Sequence, residues 1–190
     1  MITTPRCFFA SLVPTTLGNH LAAELARVGL IAQLGTALFP QVNWHQSLSD
    51  RFEDDDGLIA RLLSLGAVIS TARAPRLRMD RVEHMGGAPS PWAFKPEQTP
   101  ADFHRLLGCI KTAVATVDHR KQGDHTAHVT VSYWPPHALR RMVPITSVEW
   151  ILNEVQLVRG GGDPYRYEIL GRWPLRPCAD KEDGEQLGLF

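Results

Sequence analysis

The chain has little lysine, little cysteine and no net charge. Four of its twenty basic residues are lysine and sixteen are arginine, and twenty acidic residues balance them. A zero balance excludes a protein that coats nucleic acid or a membrane by long-range attraction, but leaves room for a compact binder of nucleic-acid ends whose charge is local. Arginine matches phosphate in a fork geometry; genome base composition is the plainer cause of its excess. The three cysteines, Cys7, Cys109 and Cys178, show no Cys-x-x-Cys spacing. That excludes a disulfide framework and a zinc knuckle and leaves reduced, structural thiols. No apolar run nears the ~18 residues of a membrane span. The opening Met1-Ile2-Thr3-Thr4-Pro5-Arg6 lacks the basic and then apolar pattern of a signal peptide. A soluble, cytoplasmic protein is expected. There is no Gly-x-Gly-x-x-Gly and no regular strand–helix alternation, which disfavours a dinucleotide-binding sheet.

What is present suffices for a core. The chain has 190 residues, 44% of them hydrophobic, enough for one domain or two small lobes sharing a core. Arg6 to Val13 reads as a buried strand. A helix capped by Thr15 or Thr16 runs to about Arg27, with Leu17, Leu21, Leu25 and Val28 on one face and Gly29 closing it. A loop of small residues follows, then a strand from Gln41 to Leu48. Asp54-Asp55-Asp56 read as the start of a second helix, stopped by Gly66, rather than as metal ligands. Strand-like stretches at Ile69–Val82 and Pro91–Phe94 are split by Gly86-Gly87. Thr99-Pro100 open a helix through Phe103, Leu106, Ile110, Val114 and Val117. Ala127–Trp134 is a strand, and Val148–Arg159 with Tyr165–Trp173 form a hairpin around Gly160-Gly161-Gly162-Asp163. The order predicts an α+β fold with a faint twofold pattern: helix then strand near 16–48, and again near 100–134. The structured domain is set at 1–176, with a charged tail at 177–190.

The same short string falls on both strands of that pattern. His45-Gln46-Ser47-Leu48 and His128-Val129-Thr130-Val131 both read His, any, Ser or Thr, apolar, and no other histidine is followed by this pattern. Residues two apart on a strand share a face. Each motif therefore offers an imidazole and a hydroxyl side by side, with the apolar fourth residue turned toward a core. Two copies across a cleft suit phosphodiester chemistry. Imidazole titrates near neutrality, so one ring can take a proton from water while the other gives one to the departing ribose oxygen. The hydroxyls can donate to the nonbridging oxygens as charge builds there. The competing reading of the string is two half-buried histidines, each satisfied by a neighbouring hydroxyl.

The chain resembles the two-histidine (2H) phosphoesterase superfamily, most closely its bacterial LigT/ThpR branch of RNA 2′,3′-cyclic phosphodiesterases, also called 2′-5′ RNA ligases. Four landmarks in order carry the resemblance: Arg6-Cys7-Phe8-Phe9-Ala10, Asn43-Trp44-His45-Gln46-Ser47-Leu48, Ala127-His128-Val129-Thr130-Val131, and Tyr167 to Leu175 with its Arg172-Trp173-Pro174-Leu175 close. Membership would imply a bilobal fold of two antiparallel sheets backed by helices, with both motifs in the central cleft. It would imply His45 and His128 as catalytic, Ser47 and Thr130 as phosphate-orienting, and no metal or cofactor. The partners implied are RNA or oligonucleotide ends bearing a 2′,3′-cyclic phosphate, or small cyclic nucleotides; ligation would be the same chemistry in reverse.

Two departures from the family pattern stand out. Ser47 replaces the more usual Thr and keeps the hydroxyl. The family often has an Arg shortly after the second motif, and here the run is Ser132-Tyr133-Trp134. Tyr133 offers a hydrogen bond or a stacking face but no charge. Arg172, or one of Arg73, Arg76, Arg78 and Arg81, is expected to compensate. The alternative to an enzyme is a module of the same fold that binds a nucleotide or RNA end without turnover. Trp92 and Trp134 are read as packing residues rather than base platforms. His119 and His125, flanked by Asp118 and Asp124, show no recurring ligand spacing.

Overall fold

The computed structural model describes residues 5–87, 90–139 and 141–178. The expected tail therefore lies outside the described residues from position 179 onward. The first strand, β1 (Arg6–Leu12), is buried on both faces, with Cys7, Phe8, Phe9 and Ala10 at most 2% exposed. It leads into α1 (Thr15–Arg27), which buries Leu21 and Leu25. Pro14 occupies the N-cap and no side chain caps this helix, so neither threonine does the expected work. Gly29 closes it in the left-handed region at φ 75°. The segment expected as a loop instead starts with a short helix, α2 (Leu30–Leu34), because Leu30 and Leu34 have core positions to fill.

The predicted strand over 41–48 is a turn in its first half. Gln41–Asn43 form a 3-10 turn, held by Asn43 N–H to Pro40 O and Trp44 N–H to Gln41 O. Only β2 (His45–Ser47) pairs. After β3 (Phe52–Glu53) comes α3 (Asp56–Ser64), whose N-cap Asp55 accepts from the Leu58 N–H. The acidic run is thus a capped helix start. α3 ends just before Gly66, as expected, but Gly66 then opens a second short helix, α4 (Gly66–Ile69). Ile69 is accordingly helical, and the strand begins later, as β4 (Arg76–His84), after Pro75. β5 (Trp92–Pro96) and α5 (Ala101–Ala115) follow, with Pro100 at the N-cap rather than in the first turn. β6 (Val129–Ser132) leaves His128 one residue outside it. The long stretch over 148–159 is two strands, β7 (Val143–Ile151) and β8 (Glu154–Gly161), parted at Leu152-Asn153. β9 (Arg166–Pro174) completes the expected hairpin with β8.

Two antiparallel sheets result. One runs β2-β1-β8-β9, with β3 also paired to β1; the other runs β6-β5-β4-β7. β7 and β8 are adjacent in sequence but lie in different sheets. The twofold pattern is real at the level of topology: strand, helix, motif strand occurs as β1-α1-β2 and again as β5-α5-β6, with each motif strand at the edge of its sheet. One apolar core runs through both sheets, joining Cys7, Phe9 and Phe52 of the first with Leu77, Val82 and Phe94 of the second. α1 follows a strand of the first sheet yet packs on β7 of the second, where Glu24 accepts from the Thr146 N–H. A smaller apolar patch on the other face of the first sheet gathers Phe8, Ala10 and Val158, with Leu12, Tyr167 and Ile169 beside it. None of the helices described is long and apolar enough to cross a membrane.

A Cβ at Gly66 would lie 1.6 Å from the Trp173 indole nitrogen, whereas one at Gly108 in α5 would meet nothing within 4 Å. Gly66→Ala is therefore expected to destabilise the fold by about 2–3 kcal/mol through overpacking. Gly108→Ala should be neutral or stabilising by up to about 1 kcal/mol. Urea denaturation of the two variants checks the contrast.

Candidate active site

Both motif imidazoles are held in the same way. His45 Nδ1 lies 2.8 Å from Asn43 O, and His128 Nδ1 lies 2.8 Å from Thr126 O. A carbonyl can only accept, so Nδ1 must carry the hydrogen in each ring. That leaves Nε2 as the working nitrogen: a lone pair in the neutral ring, an acid in the charged one. Neither Nε2 has a hydrogen-bond partner among the described residues, and neither is sealed from solvent. The 3-10 turn before β2 explains the first anchor, because it turns the Asn43 carbonyl back toward the ring two residues on.

The two motif strands are stitched by the spacer residue of the first motif. Gln46, fully buried, donates through Nε2 to Ser47 O (2.8 Å) and Thr126 O (3.0 Å), and accepts at Oε1 from the His128 N–H (2.7 Å). The Phe39 N–H adds a bond to Val131 O at 2.7 Å, and Trp44 meets Phe94 edge-on at 5.8 Å. His45 and His128 are close enough that charge on His128 lowers the proton affinity of His45.

Burial sets the electrostatics. His45 is 5% exposed and packs against Phe8 at 5.3 Å and Tyr167 at 5.0 Å. Desolvation pulls its pKa down to about 4, opposed by the Asn43 carbonyl and aided by His128 and Arg51. His128 is half-buried and is also lowered by desolvation, with His125 and Lys95 adding to the effect and the Thr126 carbonyl opposing it. Thr130 is buried and Ser47 half-buried. Burial raises the Tyr133 hydroxyl above the usual phenol value, with Arg51 and the neighbouring Thr130 hydroxyl pulling the other way. Tyr133 stands edge-on to Phe39 at 5.0 Å.

Beside the motifs opens a cleft of about 910 Å³ walled by residues of the first sheet and by residues just outside β5 and β6 of the second. The walls include Phe39, Arg6, Arg51, Tyr133, Trp134, Tyr165 and Tyr167. All three tyrosines of the chain stand there. The histidines themselves are not wall residues; His45 packs against Tyr167, which is one, and against Phe8. Gly160 makes room for Tyr165, since a Cβ there would be 2.0 Å from the Tyr165 hydroxyl.

The arginines expected to compensate for the missing one lie elsewhere. Arg172 is paired with Glu154 at 2.8 Å, Arg76 with Glu149, Arg78 donates to Ser147 Oγ, and Arg81 donates to the carbonyls of Pro96 and Glu97. Arg73 lines a separate pocket with Arg105 and Arg176. Sequence reasoning missed Arg51, Gln46, Tyr165 and Tyr167. The scarcity of tyrosine was a usable signal, because two of the three flank the final hairpin turn. Trp92 is fully buried, as expected, but Trp134 is 73% exposed at the cleft rim. His125 pairs with Asp50 (3.1 Å), Asp118 with Arg120 and Asp124 with Lys111.

No protein-family model matches the sequence, and no curated protein is similar to it at a significant level. Structural comparison is decisive about the fold: the chain has the two-sheet α+β fold of solved phosphoesterases. One crystal structure of a phosphoesterase aligns at TM-score 0.74 and 19% identity, covering 90% of this chain and 98% of that one. Escherichia coli LigT in its apo form aligns at TM-score 0.74 and 18% identity, covering 92% and 99%. The Thermus thermophilus protein TT0787 aligns at 0.72 and 21%, covering 90% and 98%. Escherichia coli LigT has also been crystallised with 3′-AMP, ATP, phosphate and NADP+.

Gln46→Ala leaves the His128 N–H without its acceptor and takes away one of the two donors to the Thr126 carbonyl. It is expected to cost roughly 2–4 kcal/mol, measured by urea denaturation. Wild-type stability in this variant would remove Gln46 from its role as the tie between the motifs.

Proposed function

We propose that the chain is a 2H phosphoesterase of the LigT/ThpR type, which hydrolyses 2′,3′-cyclic phosphate termini of RNA or small nucleotides to 2′-phosphates without a metal. The observation that carries the reading is the matched pair of imidazoles, one in and one just before an edge strand, each anchored through Nδ1 to the carbonyl two residues back, each with Nε2 unpartnered among the described residues, and tied together by Gln46.

His45, the more buried ring, is the harder to charge and is assigned as the base; His128, half-buried, is the acid. Neutral His45 Nε2 takes a proton from water as its oxygen bonds to phosphorus. The bond from phosphorus to the ribose 3′ oxygen breaks, and His128 Nε2–H protonates that oxygen. Solvent exchange then returns each ring to its starting state. Ser47 and Thr130 donate to the nonbridging oxygens as charge accumulates. Joining of 2′ to 5′ ends is the same path run backward. Residues 1–176 form the bilobal catalytic unit, and the three unpaired cysteines suit a reducing cytoplasm.

An oligonucleotide ending in a 2′,3′-cyclic phosphate should yield a 2′-phosphate, unaffected by EDTA. His45→Ala and His128→Ala should each lower kcat by about 1,000-fold while the fold survives. Full activity in either variant would end the mechanism. The replacement of the expected arginine by Tyr133 favours a second reading, a binding module without turnover; nucleotide binding with no hydrolysis across a panel of cyclic phosphates would select it.

The pH profile has a definite sign. Activity needs His45 neutral and His128 charged. kcat/KM should fall below the His45 value of about 4, as the base takes up a proton. It should fall again above the lowered His128 value, as the acid is lost. The optimum is expected on the acid side of the ordinary imidazole value of about 6.5. A free-enzyme optimum above about 7.5 would overturn the lowering of the two imidazoles by burial on which this profile rests.

A further inference from the structure

The family pattern leads one to expect an arginine shortly after the second motif, and the chain has Tyr133 nearby instead. Phosphate recognition without a cation would be weak, because fixed charge is what distinguishes an anion site from a merely polar one. A cation does face the cleft, but it comes from the connection between β2 and β3 of the other sheet. Arg51 follows the first motif and lines the cleft together with Tyr133, Tyr165 and Tyr167. Its guanidinium carbon lies 5.8 Å from the centre of the Phe8 ring, the same ring that packs on His45. A guanidinium stacked on an aromatic face is oriented without its N–H donors being used. Arg51 has no carboxylate partner among the described residues, unlike Arg76, Arg81, Arg159 and Arg172. Its positive field reaches His45, Tyr133 and Tyr167 together, so it stands within range of the motif histidine and of the tyrosine wall.

We propose that Arg51 is the cation that grips the terminal phosphate of the substrate, supplying from the first-motif side of the cleft the charge that Tyr133 does not bring from the second. The proposal rests on the phosphodiesterase reading above and names the residue that makes its cleft an anion site. The Phe8 face sets the angle of the guanidinium. Tyr133 then serves as a neutral donor beside it, and Trp134 at the rim is free to meet a base.

The test compares Arg51→Ala, Arg51→Lys and the control Arg105→Ala, an exposed arginine paired with Asp102 on α5. Two quantities are read: kcat/KM on an oligonucleotide ending in a 2′,3′-cyclic phosphate, and the Kd of inorganic phosphate by titration calorimetry. Arg51→Ala should lose about 100-fold in kcat/KM and about tenfold in phosphate affinity, with an unchanged Tm because the residue is exposed. Added guanidinium ion should restore part of the lost rate, a rescue that a purely structural role would not show. Arg51→Lys should fall between, since it keeps the charge but not the fork. Arg105→Ala should match wild type. Arg51→Ala within about threefold of wild type in both quantities would overturn the proposal, as would absence of phosphate binding by the wild type. If the wild type binds phosphate but cleaves no cyclic phosphate, the phosphodiesterase reading fails while the calorimetric comparison still decides the role of Arg51.

Discussion

One carboxamide holds the candidate site together. Gln46 is buried between two sheet edges and uses both ends of its amide. The Thr126 carbonyl that accepts from Gln46 also accepts from His128 Nδ1, so both of its lone pairs are engaged. The group that joins the two sheets is therefore bonded to the group that orients the second imidazole. A shift of either sheet would cost buried hydrogen bonds before it moved a ring, and an unpaired buried amide costs more than a made one contributes. The spacer position of the first motif, which strand periodicity turns away from its histidine and hydroxyl, is thus the point on which the geometry of both motifs depends.

The shared core gives that tie something rigid to act between. Phe9 and Phe52 of one sheet and Leu77 and Phe94 of the other belong to a single apolar cluster. β7 and β8 are consecutive in the chain yet lie in different sheets, and α1 crosses from one to the other. The sheets are therefore coupled covalently and by packing, and the cleft between them is a groove in one body rather than a gap between two.

The fold was legible where burial leaves a period in the sequence. β1, α1, α3, α5 and the β8–β9 hairpin were all readable from apolar spacing and turn residues, as was the repeated helix-then-strand order of the twofold pattern. The errors have physical causes. Over 41–48, Val42 and Trp44 suggested a strand, but Pro40 begins a turn, and Val42 is 63% exposed. Gly66 was read as a helix stop, and α3 does end before it; the second helix that starts there and the close approach of Trp173 are tertiary facts that no local signal carries. In the site, the paired strings marked both histidines and both hydroxyls, because period-two spacing is local. Arg51 was invisible for the opposite reason. A single arginine in a chain with sixteen has no spacing to announce it, and its place over Phe8 exists only after the strands pair. Arg172 drew notice through a sequence landmark, yet a neighbouring glutamate occupies its guanidinium.

Symmetry of backbone and asymmetry of burial together make the arrangement suited to acid–base work. The two imidazoles share a tautomer, an anchor and a free nitrogen, so nothing in their hydrogen bonding distinguishes them. What differs is water. His45 is enclosed by Phe8, Tyr167 and the first sheet, while His128 sits one residue before its strand and half in solvent. Desolvation penalises the charged form in proportion to enclosure, which separates two otherwise equivalent rings into one that stays neutral and one more readily charged. The zero net charge of the chain fits the same logic. Neither ring is expected to be charged at rest near neutrality, so the cleft's standing charge falls to its arginines. On the proposed reading, an arriving phosphate anion would favour protonation of the more accessible ring, so the substrate itself would help to create the acid that its cleavage requires.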